Sequence, residues 1–254
     1  MISKHSRWRM FVAVMLSAVL LFVPVATGFA MANIVGATNP LAYEEVNGVE
    51  LEELAQKAIS DSGVQQLVGH LTDKGADLVG KRAAKWQFDG HDGRAVLLNY
   101  KGNEDVQIVY SESDGNVKVG AGVIKTTDKK IKIKAYDLVD GKIYHSSTIT
   151  SIKGPNGKFA KPSVEWNSSP LVKNPKAIDS LPDFSAAASS CTICKTVCSY
   201  VYAGGCGVTG YFLCVAACTP FAWAVCWPIC AVVFALICNF GQNNTCPVVC
   251  ASYC

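Results

Sequence analysis

Three patterns of hydrophobic and polar positions follow one another along the chain. Between residues 40 and 80 the apolar positions recur with a helical period. Leu51, Leu54, Ala55, Ala58 and Ile59 share one face, and Val64, Leu67, Val68 and Leu71 make a second stripe. Asp61-Ser62 separates the two, with Ser62 placed to cap the second helix and Gly75 placed to end it. After Lys81 the period becomes two, predicting strands at Ala83–Phe88, Arg94–Tyr100, Val106–Glu112, Val117–Lys125, Ile131–Leu138 and Lys142–Ile149. Asp89-Gly90, Asp92-Gly93, Lys101-Gly102, Asp114-Gly115 and Asp140-Gly141 punctuate them, and Asp-Gly between alternating runs is a hairpin signal. Residues 33–153 therefore read as an α+β region, two N-terminal helices followed by an antiparallel meander. Periodicity lapses over residues 154–190, where Pro155, Pro162, Pro170, Pro175 and Pro182 recur among small and polar residues; this reads as a flexible linker.

The third pattern belongs to cysteine. Cys191, Cys194, Cys198, Cys206, Cys214, Cys218, Cys226, Cys230, Cys238, Cys246, Cys250 and Cys254 are all the cysteines of the chain. From Cys194 onward every gap is four or eight residues, which on an α-helix keeps the side chains on one slowly drifting face. Helices are expected near 191–202, 211–218, 221–239 and 246–253, a small all-α disulfide-rich domain with Pro228 in its third helix. An even count in an exported chain implies a disulfide framework, with its pairing left open. Zinc is the rival for Cys191-Thr192-Ile193-Cys194, but no second such pair follows and the tail has no histidine.

Charge divides at the same boundary. The chain has 254 residues and a formal net charge of +3, too balanced for a nucleic-acid binder driven by counterion release. All acidic residues lie between Glu44 and Asp183, and Lys195 is the one charged side chain after residue 190. The apolar run Tyr211–Cys238 is long enough to suggest a membrane span, but Pro220, Pro228 and the recurring cysteines fit a crosslinked peptide with excess apolar surface better. Phe212, Phe221, Trp223, Trp227 and Phe234 are its candidate membrane contacts. At the other end, residues 1–32 read as a secretory signal. Lys4, Arg7 and Arg9 precede the apolar stretch Met10–Ala26, with small-residue cleavage positions at Ala30 and Ala32. A secreted product is expected, and Ser189 and Ser190, just before Cys191, are a candidate second processing site.

Catalytic chemistry is not expected. His91, between Asp89-Gly90 and Asp92-Gly93, lacks the alternating oxygen ligands of a calcium loop. His145-Ser146-Ser147 does not form a nucleophile and base, because neighbours on a strand face opposite ways. Lys130, Lys132 and Lys134 alternate with Ile131 and Ile133, as on a solvated or edge-protecting strand. No cofactor or metal is called for.

With those residues in view, the chain resembles precursors of the small cysteine-rich halocins, the halocin C group, and their bacterial relatives. The resemblance rests on the signal, the charged cysteine-free middle and the C-terminal block. Within that block it rests on Cys198-x7-Cys206-x7-Cys214-x3-Cys218 with Gly204-Gly205 inside. Residues from Val49 to Leu71 look like the start of that family's pro-region. The twelve cysteines and acid-free tail depart from the archaeal type, so no bridge pairing is carried over. The resemblance implies a secreted bacteriocin precursor. Residues 191–254 would be the antimicrobial peptide acting at a target-cell membrane or envelope, and residues 33–153 would be an immunity or chaperone partner. The alternative expectation is a membrane-anchored secreted binding protein whose tail is an anchor or oligomerisation element.

Overall fold

The computed structural model describes residues 42–73, 75–154, 162–167, 169–171, 190–218 and 223–251. These all belong to one unit of the chain, residues 33–254. The signal-like segment with Ala30 and Ala32, and also Ser189, Phe221 and Cys254, lie outside the described residues.

Eight strands form one antiparallel sheet in simple sequence order. They are β1 (Ala42–Val46), β2 (Asp77–Phe88), β3 (His91–Lys101), β4 (Asp105–Ser113), β5 (Asn116–Thr127), β6 (Lys130–Val139), β7 (Lys142–Ile152) and β8 (Ser163–Trp166). The six expected strands are present and longer than their periodic cores. Two further strands close the edges. β1 pairs with β2 in a stretch expected to be helical, and β8 pairs with β7 inside the expected linker. Both are five residues or shorter, below the length at which alternation is distinctive.

Asp89-Gly90, Asp114-Gly115 and Asp140-Gly141 are two-residue turns in which both residues have positive φ, the geometry that matches strand twist. Asp92-Gly93 is not a turn. It lies within β3, where the Trp86 indole crosses Gly93 so closely that a Cβ would collide with it. The β5–β6 turn falls at residues 128–129, between Thr127 and Lys130.

Between β1 and β2 lie helices α1 (Gly48–Ser60) and α2 (Ser62–Leu71). Asp61, rather than Ser62, caps α2, its Oδ1 accepting from the Gly63 and Val64 amides at 2.9 and 3.1 Å. The helix ends at Thr72, whose hydroxyl donates back to the Val68 carbonyl at 2.6 Å, three residues before Gly75. Leu54, Ala55, Ala58, Val64 and Leu67 are buried against Ala83, Val96, Leu98, Ile108, Tyr110 and Ala121 on one face of the sheet.

The other face is apolar too. Ala84, Trp86, Ala95, Leu97, Val109, Ile131, Ile133 and Ile149 point there. That is why Ala95–Leu98 is an unbroken buried run in place of an alternating one, the signature of a strand covered on both sides. Lys130, Lys132 and Lys134 lie on the opposite side of β6 from its buried isoleucines. β6 is an interior strand, so their face is a solvated one with no edge to protect.

Candidate functional site

What covers the second face is the cysteine-rich tail. It forms α3 (Ser190–Ala203), α4 (Val208–Cys218), α5 (Trp223–Phe240) and α6 (Gln242–Ala251), close to the helices expected from cysteine spacing. α4 lies on β5, β6 and β7, and α5 on β2, β3 and β4. α3 and α6 pack together and against that inner pair. Disulfides fasten each layer to itself. Cys214–Cys230 joins α4 to α5, while Cys194–Cys250 and Cys198–Cys246 join α3 to α6. Cys191 is also disulfide-bonded, so both members of the only CxxC pair are cystines and the zinc reading of that motif fails. Among the described residues no cluster of His, Cys, Asp and Glu is placed to hold a metal. The side chains of Cys218, Cys226 and Cys238 lie outside the described part, as does that of Trp223.

The fit between tail and sheet begins with two missing side chains. Gly120 and Gly122 of β5 present bare backbone to α4, and a Cβ at either would collide, with Val208 and Phe212 respectively. The helix therefore sinks onto the strand, and every residue from Val208 to Ala216 is buried. A helix apolar on all sides needs such enclosure. Phe212 and Leu213 have no exposed surface, and Trp227 and Phe234 retain 1% and 4%. Three of the five candidate membrane contacts are thus covered in the full chain.

Polar contacts set the register of the same surface. Asp137, which continues the buried face Ile131-Ile133-Ala135 of β6, meets the N-terminus of α4 and accepts from the Val208 amide at 2.6 Å. Ser169 donates to the same carboxylate at 2.8 Å. A carboxylate against the first amides of a helix is a favourable pairing of charge and dipole. Burial pushes the Asp137 carboxyl above its usual value of 3.8, partly countered by the Val208 amide and the Ser169 and Ser146 hydroxyls. Next to it, the Thr209 hydroxyl meets both Ser146 Oγ at 3.0 Å and Ser147 Oγ at 2.9 Å. The expectation that neighbouring side chains on this strand diverge fails here because of a β-bulge. Ala135 pairs with Ser147 and Tyr136 with His145, leaving Ser146 as the extra residue. His145 is not aimed at either serine as a base; it stacks on Tyr136 and bonds Thr148 and Asn167.

At the other end of the surface Arg82 lies over the Trp227 ring, 5.0 Å from its centre, and donates to Glu45 Oε1 at 2.7 and 2.9 Å. Trp227 Nε1 donates to the same oxygen at 3.4 Å. Phe240 meets the Phe88 ring edge-on and lies 5.1 Å from His91, whose Nδ1 is 2.7 Å from Asp114. Tyr211, wholly enclosed, reaches Gln107 at 3.4 Å, and burial drives its phenol well above the usual range.

Sequence reasoning singled out the cysteines and aromatics but not Asp137, Thr209, Gly120, Gly122 or the Arg82–Glu45 pair. Two signals were available: an Asp in the apolar register of β6, and Gly-Ala-Gly inside a strand, where glycine marks close approach of another segment. No family model, no curated protein and no solved structure matches the chain.

Proposed function

We propose that the chain is a secreted bacteriocin precursor of the cysteine-rich halocin type. Residues 191–254 act on the envelope of competitor cells through apolar contact, and the preceding α+β region shields them until release. The observation that carries this reading is a combination. Every described bridge with both partners in view joins tail to tail, while the apolar face of the tail is buried on a sheet to which none of those bridges ties it. A peptide built this way has its own crosslinked body and a removable cover. Its cystines fit an oxidising compartment outside the cytoplasm. No residue is assigned a catalytic role, and the partners proposed are the target envelope and the chain's own pro-region.

The rival, a binding protein anchored by its tail, has less support. Among the described residues no helix is long and apolar enough to cross a membrane. The test is to insert a specific protease site between residues 172 and 189 and assay killing before and after cutting. Full-length protein should be inert, oxidised tail should kill, and reduced and alkylated tail should not. Residues 33–171 added back at equal concentration should restore survival. An oxidised, released tail that kills none of a broad panel would overturn the proposal. Tail retained in membranes after an alkaline wash, without killing, would support the anchored binding protein.

A further inference from the structure

The three described bridges share a property that their spacing alone does not require. Ala222 lies midway in sequence between Cys194 and Cys250, between Cys198 and Cys246, and between Cys214 and Cys230. The first two bridges belong to the outer helix pair and the third to the inner pair, so one centre governs both layers. Antiparallel helices explain the rule. A step of four residues toward the N-terminus on one helix and four toward the C-terminus on its partner travels about 6 Å along each, so the new pair stays level. Cys194–Cys250 and Cys198–Cys246 are related by such a step.

The other cysteines fall on the same scheme. Cys218 and Cys226 each lie four residues from Ala222, and Cys206 and Cys238 each lie sixteen. Cys191 and Cys254 lie thirty-one and thirty-two residues away, one step beyond Cys194–Cys250 in sequence, and Cys191 is itself disulfide-bonded. Cys206 sits between α3 and α4, and Cys238 lies three residues before Gly241, which separates α5 from α6.

We infer that the tail carries six nested disulfides about a single centre, adding Cys218–Cys226, Cys206–Cys238 and Cys191–Cys254 to the three described, and thus placing Cys206, which the structure draws in no bridge, in one. Each forms as two thiols lose two protons and pass two electrons to an oxidised dithiol carrier or a small-molecule disulfide, which is reduced in turn. No bridge crosses another and none leaves residues 191–254. One peptide-bond cleavage before Cys191 therefore frees the tail as a closed body with no reduction step. This pairing holds or fails independently of any killing activity.

The test uses the full chain. Its oxidised mass should be about 12 Da below the reduced mass, as six bridges require. Peptic digestion without reduction, followed by electron-transfer fragmentation, should yield Cys206 linked to Cys238 and Cys218 linked to Cys226. In Cys206→Ser, alkylation without reduction should label Cys238 alone, and in Cys238→Ser it should label Cys206 alone. Any other partner for Cys206, a smaller mass difference, or labelling of a different cysteine in these variants overturns the inference. The wild-type digest decides it even if neither variant folds.

Discussion

Asp137, buried, and Glu112, half-buried, are carboxylates whose protons respond in opposite directions. At Asp137 burial dominates and lifts the carboxyl above its usual value, so its ionised form costs the folded chain free energy at neutral pH. That cost is relieved as pH falls through the raised folded value. At Glu112 burial also raises the carboxyl. Hydrogen bonds from Arg94 at 2.9 and 3.0 Å, Lys57 at 2.9 Å and Tyr110 at 2.8 Å outweigh it and bring the value down to about 2. Stability from Glu112 is complete above its usual value of 4.5 and is lost as pH falls through about 2. Acid titration followed by circular dichroism should therefore show an unfolding limb between those values, flattened in Glu112→Gln. Asp137→Ala leaves the Val208 amide without its buried acceptor and should cost about 1–3 kcal/mol. Faster hydrogen exchange at Val208 is the readout, and Asp137→Asn, which keeps an acceptor but cannot ionise, should recover much of the loss.

At the scale of elements, α4 meets β5 at Gly120 and Gly122, where Val208 and Phe212 cover bare backbone. Gly122→Val places a branched side chain where the Phe212 ring lies and should destabilise the seated tail by about 1–3 kcal/mol through overpacking. The α1–α2 face, built from the alternate residues of β5, is left intact. Limited proteolysis should cut Gly122→Val between the sheet and α3 faster than wild type, and Phe212→Leu in the same chain should slow cutting again. Equal rates in all three would detach the tail's protection from this contact. The elements themselves were largely legible: the helical stripe of α1, the Asp-Gly hairpins and the four-residue cysteine step each state a geometry that local chemistry enforces. β1 and β8 were not, because a strand of four or five residues at an edge is made by its neighbour. The seat for the tail was not either, since a docking surface is a relation between distant segments. Only Asp137 and the two β5 glycines hinted at it, each by breaking the rule of its own strand.

Among the described residues of this unit, α1 and α2, the sheet, then α4 and α5, with α3 and α6 outermost, form successive layers; α1 and α2 interrupt the sheet in sequence between β1 and β2, and the tail closes on itself. From β2 to β7 each strand pairs with the one just made, four of the five connections being two-residue turns. Contacts so local form quickly, and a chain emerging N-terminus first completes them before its last segment arrives. The order of synthesis thus gives the sheet a head start. The strands that carry Gly120 and Gly122 precede every cysteine in the chain, so the intact chain should reach the Cys194–Cys250 pairing faster on reoxidation than residues 191–254 alone, as read by mass spectrometry of the trapped products. On that expectation the meander serves the tail first as the mould in which its cysteines find their partners.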